Sequence, residues 1–516
     1  MGGFLLALVC LAAGAAAPVV GPFEAEAAGV ASNAIDTAVR AGLQKRGLVP
    51  ARVCSDEVFL RRVYLDVIGT LPEPQAVLDF VADTRPNKRA AVIEALLGRD
   101  ELADYWAMKW CDVLRVKSEF PINLWPNAVQ AYHQWIREAI RQNRPCDQVA
   151  RALLTSSGSN FRVPPVNFYR ALQGRDPASL AGAVALTFMG SRLESWPEDR
   201  RAGLAAFFSR VAYKYTGEWK EEIICLDPAA TAPVAAVFPD GRAVQIPAGQ
   251  DPREVFADWL LAPGNPWFAR NIANRLWANL FGRGIIHEPD DIRPDNPPSN
   301  PELLAELERE LVAARYDWRQ VLRLVLNSRT YQQSSIPQSN QPEAEALFAC
   351  YPVRRLEAEV LADALSWIGG KGESYSSAVP EPFTFIPPYQ RTIALADGSI
   401  SSPFLEMLGR PARDTGLVSE RNNEPNDSQR LHLLNSTSVR QQIEQSRMIQ
   451  AVAQRARGDA DEVIRGIYLV VLSREPTAAE TAAAKQYAQS AGLGPKQAID
   501  DLVWALINTK EFLYRH

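Results

Sequence analysis

The stretch "NPWFARNIANRLWANLFGRG", residues 265–284, decides the fold class. Its apolar side chains recur every three or four positions, which places Phe268, Ile272, Leu276 and Leu280 on one face of a helix. The glycine that follows is typical of a helix C-terminus, because glycine adopts left-handed backbone without steric cost. This stretch therefore predicts an amphipathic helix that packs against a core.

The same period continues on both sides of this stretch. Residues 56–83, "DEVFLRRVYLDVIGTLPEPQAVLDFVAD", predict two helices, the first lined by Val58, Leu65 and Ile68 and ended by Gly69 with Pro72. Residues 124–140 predict another helix with an apolar face formed by Trp125, Val129, Tyr132, Ile136 and Ile140. An aromatic stripe of this kind is usually part of a core rather than a ligand site.

One β element interrupts the helices. In residues 232–249, "APVAAVFPDGRAVQIPAG", Asp240-Gly241 predicts a turn between two short runs rich in valine and alanine. The predicted fold is therefore mainly α, a multi-helix two-body protein with a small β-hairpin insert near residues 234–247. The predicted divisions are a signal-like segment (1–17), a helical domain (30–215), a linker with the hairpin (216–250) and a second helical domain (251–516) with a loop-rich segment (369–411).

Composition excludes some functions and favours export. The 516 residues are 47% hydrophobic and 22% charged, and the net charge of -5 argues against nucleic-acid binding. The N-terminus has a short apolar run, and Ala13-Gly14-Ala15 resembles a signal-cleavage site, although no Lys or Arg precedes the run. The run is too short to span a bilayer. We expect an exported, periplasmic or cell-envelope protein with no transmembrane span in the mature chain.

A family resemblance covers nearly the whole chain after this segment. The motifs that carry it are, in chain order, "FLRRVYLDVIGTLPEPQAVLDFVAD", "NFYRAL", "NPWFARNIANRLWANLFGRGIIHEPDDIRPDNPPSNPELL", "RRLEAEVLADAL", "LHLLNS" and "NTKEF". The series resembles planctomycete-type exported proteins, in which a cytochrome-C-associated planctomycete domain precedes a planctomycete-specific C-terminal domain. Both domains are of unknown function. The resemblance implies export, a helical fold and frequent fusion to a c-type cytochrome domain, and it implies no established reaction.

Two cysteine elements of many relatives are absent from this chain. Relatives carry C-x-x-C-H between two helices, a spacing that suits covalent haem. Here the joint is "SRLESWPEDR", residues 191–200, which contains neither Cys nor His. Relatives also carry C-x-C-E-R, where this chain has "TGLVSERNNEP", residues 415–425, with Glu420 and Arg421 retained. The chain therefore resembles a haem-less branch of the family.

Two polar loops of the second half are the candidate site. They are "HEPDDIRPDNPPSN", residues 287–300, and "SERNNEPND", residues 419–427. We predict that they face one another and form a polar pocket, because dense charges are costly to bury unless they are paired or bind a cation. The candidate pocket residues are His287, Asp290, Asp291, Arg293, Asn296, Glu420 and Arg421.

The residues leave two interpretations of these loops open. In the structural one, Asn300 and Asp427 cap the helices that follow, and arginine–carboxylate pairs hold the loops, so Asp291→Ala should destabilise the protein. In the other, Asp290, Asp291 and Glu420 supply oxygen ligands to a divalent cation, with His287 as a base.

Three functions remain open. The leading one is a non-catalytic scaffold or binding component of a cell-envelope assembly, with envelope proteins as partners and no cofactor of its own. The alternatives are a carboxylate- and His-based hydrolase, with or without a metal, and a redox-associated protein that relies on a partner's haem. The absence of a nucleophile motif such as G-x-S-x-G weighs against the hydrolase, and the absence of both cysteine elements weighs against the redox protein.

Overall fold

The computed structural model describes residues 21–25, 32–387 and 389–516. The predicted signal-like segment, residues 1–17, lies outside this range. The described chain is mainly helical with small sheets of two or three strands, so the predicted fold class is confirmed. No helix in these ranges is both long enough and apolar enough to cross a membrane.

The described part of the first half contains ten α-helices. They are α1 (Ala34–Lys45), α2 (Asp56–Val67), α3 (Pro74–Ala82), α4 (Lys88–Leu97), α5 (Asp100–Val113), α6 (Pro126–Arg141), α7 (Cys146–Thr155), α8 (Asn167–Arg170), α9 (Pro177–Val184) and α10 (Glu198–Ala205). One turn of π-helix, Ala185–Met189, extends α9, and Gly190 then ends the helix in a left-handed conformation.

The second half continues in the same way. Its helices are α11 (Pro252–Leu260), α12 (Pro266–Phe281), α13 (Pro301–Ala313), α14 (Trp318–Leu326), α15 (Glu343–Ala346), α16 (Ala358–Gly369), α17 (Pro403–Met407), α18 (Asp427–Asn435), α19 (Thr437–Glu444), α20 (Arg447–Arg455), α21 (Ala460–Leu472), α22 (Ala478–Ser490), α23 (Pro495–Ile507) and α24 (Lys510–Leu513). The predicted loop-rich segment 369–411 contains α17 and a short 3-10 turn, Thr392–Ala394, and is otherwise irregular.

Helix α12 follows directly from its sequence. The side chain of Asn265 accepts a hydrogen bond from the backbone of Trp267, and a proline occupies the first helical position. Gly282 ends the helix with a φ of 72°. The four apolar residues that predict the helix are all buried. They belong to a core cluster that continues without interruption from the first half of the chain into the second.

The predicted hairpin is present. Strands β4 (Val234–Val237) and β5 (Ala243–Ile246) pair antiparallel around the Asp240-Gly241 turn. A second sheet occupies sequence that we predict to be helix and linker. In it, β3 (Glu222–Leu226) pairs antiparallel with β2 (Val211–Tyr215) and with β1 (Gly158–Ser159). The helical part of the first half therefore ends before residue 211, where β2 begins. Strand β3 pairs with β2 and also with β1, which lies some 60 residues earlier in the chain.

The C-terminus returns to the middle of the chain. Strand β7 (Tyr514–Arg515) pairs antiparallel with β6 (Arg354–Arg355). This pairing brings Arg515 beside Asp66 of α2, with Nε 2.9 Å from a carboxylate oxygen. Tyr331 and Tyr351 donate hydrogen bonds to the same carboxylate at 2.8 and 3.0 Å. A buried polar cluster thus joins the first helices of the chain to its end.

Candidate functional site

The two polar loops meet. Loop A is residues 287–300, as predicted, and loop B is residues 414–427, which begins five residues before the predicted loop 419–427. The backbone N–H of Val418 in loop B donates a hydrogen bond to Oδ2 of Asp290 in loop A at 2.5 Å. A cavity of about 330 Å³ lies beside this contact, and its lining includes His287, Glu288 and Arg421. The structure therefore brings part of the predicted set together, and the role of each member depends on its partners.

Asp290 is fully buried, and each of its carboxylate oxygens has a hydrogen-bonding partner. Its Oδ1 lies 2.5 Å from Nη2 of Arg275 on α12, and its Oδ2 accepts the Val418 hydrogen bond. Arg275 also donates to the side chain of Asn271, one turn earlier on the same helix, at 2.9 Å. Helix α12 thus positions the arginine that neutralises this carboxylate, and a hydrogen-bonded charge pair is what makes burial of the acid tolerable.

Arg421 belongs to a second group of ion pairs, which lies between loop B and helices α5 and α16. Its guanidinium contacts Asp112 of α5 at 2.7 Å and Glu359 of α16 at 2.7 Å. Arg413 also pairs with Asp112, and Arg410 with Glu359, at 2.8 and 3.4 Å. Burial raises the pKa of Glu359, but Arg421 and Arg410 outweigh it and hold that pKa at about 2. Loop B is therefore held by charges from two helices of different halves.

Glu420 faces its own loop rather than loop A. It accepts hydrogen bonds from the backbone N–H groups of Asp414 and Thr415, at 2.8 and 3.3 Å, and from the Thr415 hydroxyl at 3.0 Å. This arrangement closes the loop on itself. Glu420 makes no contact with the Asp290 carboxylate that would define a shared cation site.

The other loop A residues stabilise the loop near its surface. Arg293 is exposed and pairs with Asp291 and Asp295, at 3.1 and 3.2 Å. The side-chain amide of Asn296 donates to the carbonyls of Asp291 and His287, at 2.8 and 3.2 Å. Asp291 therefore lies in an exposed ion pair, whereas its neighbour Asp290 lies in a buried one.

His287 is exposed at the edge of the cavity. Partial burial lowers its pKa, Arg283 lowers it further, and Glu288 opposes both. Its ring makes no hydrogen bond within the described residues.

Across the described residues, no group of three His, Cys, Asp or Glu side chains lies close enough together to hold a metal ion.

The helix caps next to the loops differ in one position from the prediction. Asn300 caps α13, as expected, by accepting a hydrogen bond from the backbone of Leu303 at 3.0 Å. At α18 the predicted cap is Asp427, but the structure places Asn426 in that position, and its side chain accepts from the backbone of Gln429. Both residue types cap well, so the sequence alone leaves a one-residue ambiguity.

A larger cleft lies on the other side of loop B. Its volume is about 740 Å³, and its walls are α9, α10, the joint that follows Gly190, and residues 414–417 of loop B. The joint contacts loop A as well: Ile292 donates its backbone N–H to Gly190 at 2.8 Å, and Arg192 pairs with Glu288 at 2.9 Å. The lining contains neither cysteine nor histidine.

Sequence reasoning missed Arg115, which lines this cleft from the end of α5. It also missed Asp112 and Glu359, which hold Arg421. Asp112 and Glu359 lie in helices and Arg115 lies two residues after the end of α5, and the three form no motif. Their positions become visible only when segments some 60 to 310 residues apart are brought together.

Two family models match the chain. Residues 34–184 match PSCyt2, a protein of unknown function (DUF1549), and residues 252–488 match PSD1, a protein of unknown function (DUF1553). The chain therefore belongs to the planctomycete-type proteins in which these two domains of unknown function follow one another, and the predicted family is confirmed. Neither the curated proteins nor the solved structures contain a match to it.

Proposed function

We propose that this chain is an exported, non-catalytic binding or scaffold component of a cell-envelope assembly, and that it carries no haem of its own. The observation that supports this proposal is the engagement of the loop carboxylates. Asp290 and Glu420 have hydrogen-bond donors on both carboxylate oxygens. Their geometry suits holding two loops in one conformation.

A hydrolase would need a different arrangement. A general base requires an accessible lone pair within hydrogen-bond reach of the proton that it removes. Asp290 is buried against Arg275, and His287 has no carboxylate in hydrogen-bond contact to orient it. A divalent cation at Asp290 would have to displace an arginine already bound there.

Metal binding is tested by thermal melts with Ca²⁺, Mg²⁺ or a chelator. We expect the melting temperature to be the same in all three conditions. A rise with either ion that disappears in both Asp291→Asn and Glu420→Gln would contradict the structural interpretation. Asp258→Asn is a matched control, because Asp258 forms an exposed ion pair with Arg151, far from the loops along the chain.

The absence of covalent haem rests on the joint, residues 191–200, which offers no thiol for a thioether and no axial histidine. The full chain, produced in a host that matures c-type cytochromes, is expected to give no haem stain on a denaturing gel. A haem band that survives denaturation would show that attachment occurs elsewhere in the chain.

The envelope location is tested in native cells. We expect the protein in the envelope fraction, with an N-terminus downstream of Ala15 and a native electrophoretic mobility lower than that of a monomer of the processed chain. An intact Met1 on cytosolic protein would contradict export. A monomer in the soluble extracytoplasmic fraction would contradict the assembly.

A further inference from the structure

Arg115 differs from Arg410, Arg413 and Arg421, the arginines that carboxylates hold next to loop B. Only 4% of the residue is exposed, and Nε donates to the carbonyl of Thr415 at 2.8 Å. Nη1 has no hydrogen-bond partner, and no carboxylate in the described ranges pairs with this guanidinium. Arg410, Arg413 and Arg421 each pair with Asp112 or Glu359. A buried cation without an anionic partner is costly, so this position is suited to an anion.

The nearest acids do not serve as that anion. Glu420 and Asp290 raise the pKa of Arg115 through space, but their oxygens are engaged by loop B and by Arg275. Burial is the largest effect and lowers the pKa of Arg115 to about 10. The guanidinium therefore stays charged at neutral pH and keeps unused hydrogen-bonding capacity.

Arg115 opens on the large cleft, whose walls are mainly apolar. Small side chains on α9 and α10 create the space, and Leu172, Leu186, Leu193 and Leu417 cover the sides. A Cβ added at Gly182, in the middle of α9, would meet nothing within 4 Å. The volume of about 740 Å³ is in the range of pockets that enclose small organic molecules.

The charges of the cleft favour one class of ligand. Arg115 is the buried cation. The other charged residues of the lining are Arg192 and Arg201 on one side of the balance and Glu194, Glu198 and Asp414 on the other, so the cleft has no net positive charge to hold a multiply charged anion. Asp414 is itself paired with Lys117 at 2.6 Å. A planar carboxylate matches a single guanidinium with two parallel hydrogen bonds. An apolar body attached to it would fill the remainder of the cleft.

We propose that this cleft binds a small monocarboxylic acid with an apolar body, with the carboxylate on Arg115 and the apolar part between α9 and α10. The proposal rests on the proposed binding function and adds the ligand class. It assigns a ligand-contacting role to a residue that lies outside both polar loops.

The test is isothermal titration calorimetry of the full chain with octanoate, and with octanol at the same concentrations. We expect saturable octanoate binding and much weaker octanol binding. Arg115→Met should weaken octanoate binding by about tenfold or more, because a hydrogen-bonded charge pair is lost. Arg115→Lys keeps the positive charge but not the planar guanidinium. Its affinity for octanoate should lie between those of wild type and Arg115→Met.

Gly182→Leu is a second variant, needed because Arg115→Met could lose octanoate binding simply by misfolding. The new side chain enters empty space in the cleft and replaces a helical glycine, so the melting temperature should hold or rise while octanoate binding weakens. Absence of octanoate binding, equal binding by octanol, or unchanged affinity in Arg115→Met and Gly182→Leu would each overturn the proposal. None of these results would alter the location and assembly measurements that test the proposed function.

Discussion

Asp290 and Asp291 are adjacent carboxylates with different surroundings. Asp290 is buried against Arg275, whereas Asp291 keeps 24% of its side chain exposed beside Arg293. Removing one partner of a buried pair leaves an uncompensated charge, so Asp290→Ala should lower the free energy of unfolding by about 3–5 kcal/mol. Asp291→Ala should lower it by about 1 kcal/mol or less, because exposed pairs contribute little. Chemical denaturation of the two variants measures both.

The same pair of variants tests a sequence-based prediction. From the sequence, Asp291→Ala is the substitution predicted to destabilise a structural pocket. In the structure the buried carboxylate is Asp290 rather than Asp291. We therefore expect the larger loss of stability in Asp290→Ala. Equal losses in the two variants would contradict the difference in burial on which the argument rests.

Glu359 makes stability depend on acid pH. Its pKa lies at about 2 in the folded chain, below the ordinary value of 4.5, so its charged form is favoured by folding. Its contribution is complete above pH 4.5 and is lost as the pH falls from 4.5 towards 2. Glu359→Gln should be less stable than wild type at pH 7 and should lose less stability across that window.

Acid denaturation followed by circular dichroism checks this prediction. Glu345→Gln serves as the control, since Glu345 is exposed and has no ion pair within the described residues. It should show the same pH profile as wild type. A Glu359→Gln profile parallel to that of wild type would show that other carboxylates carry the acid sensitivity.

At the scale of elements, the joint after α9 depends on one glycine. Gly190 has a φ of 62°, and an added Cβ would lie 2.6 Å from Oδ1 of Asn271 and 2.9 Å from the carbonyl of Pro289. Gly190→Ala should therefore destabilise the protein by about 1–3 kcal/mol, from strained backbone and from displaced loop A contacts.

Gly182 provides the matched comparison for this substitution. It lies within α9, where a methyl group meets open space, so Gly182→Ala should stabilise the protein by about 0.5–1 kcal/mol. Thermal melts of the two alanine variants measure the contrast. Similar melting temperatures would indicate that the joint tolerates a different backbone conformation.

Local sequence was sufficient for elements whose signals are local. The apolar face and the glycine end of α12, the cap at Asn300 and the Asp240-Gly241 hairpin all follow from residues within a few positions of one another. The β1–β3–β2 sheet could not be predicted from local sequence. Strand β3 pairs with residues 158–159, and that pairing is decided by the tertiary fold.

The candidate site shows the same limit. The density of charge in the two loops predicts a common location, and residues of both predicted loops line one cavity, although the hydrogen bond between them comes from Val418, one residue before the predicted second loop. The partners that decide its chemistry were not visible, because Asp112 is about 300 residues away from Arg413 and Arg421 in the chain. A motif can show that charges need compensation, whereas only the fold shows which residues provide it.

At the scale of the whole molecule, three acids of the first half have partners in the second half. Asp36 of α1 accepts backbone hydrogen bonds from Arg329 and Thr330, at 2.9 and 2.8 Å. Asp66 of α2 binds Arg515, and Asp112 of α5 binds Arg413 and Arg421. Carboxylates on three helices of the first half therefore bind residues of the second half. The two halves also share one apolar core.

We predict that neither half is stable alone. Residues 34–250 would leave these three acids without partners, and residues 251–516 would expose buried arginines together with their side of the core. By calorimetry, the full chain should unfold in one transition, and the separate halves should show no cooperative melt. The matched control is a full chain cut at a protease site placed at exposed Gly249, where an added side chain meets nothing within 4 Å. The cut chain should remain a single species in gel filtration, because the contacts survive the loss of one peptide bond. A half that melts cooperatively near the temperature of the full chain would show that the cross-boundary ion pairs contribute little to either fold.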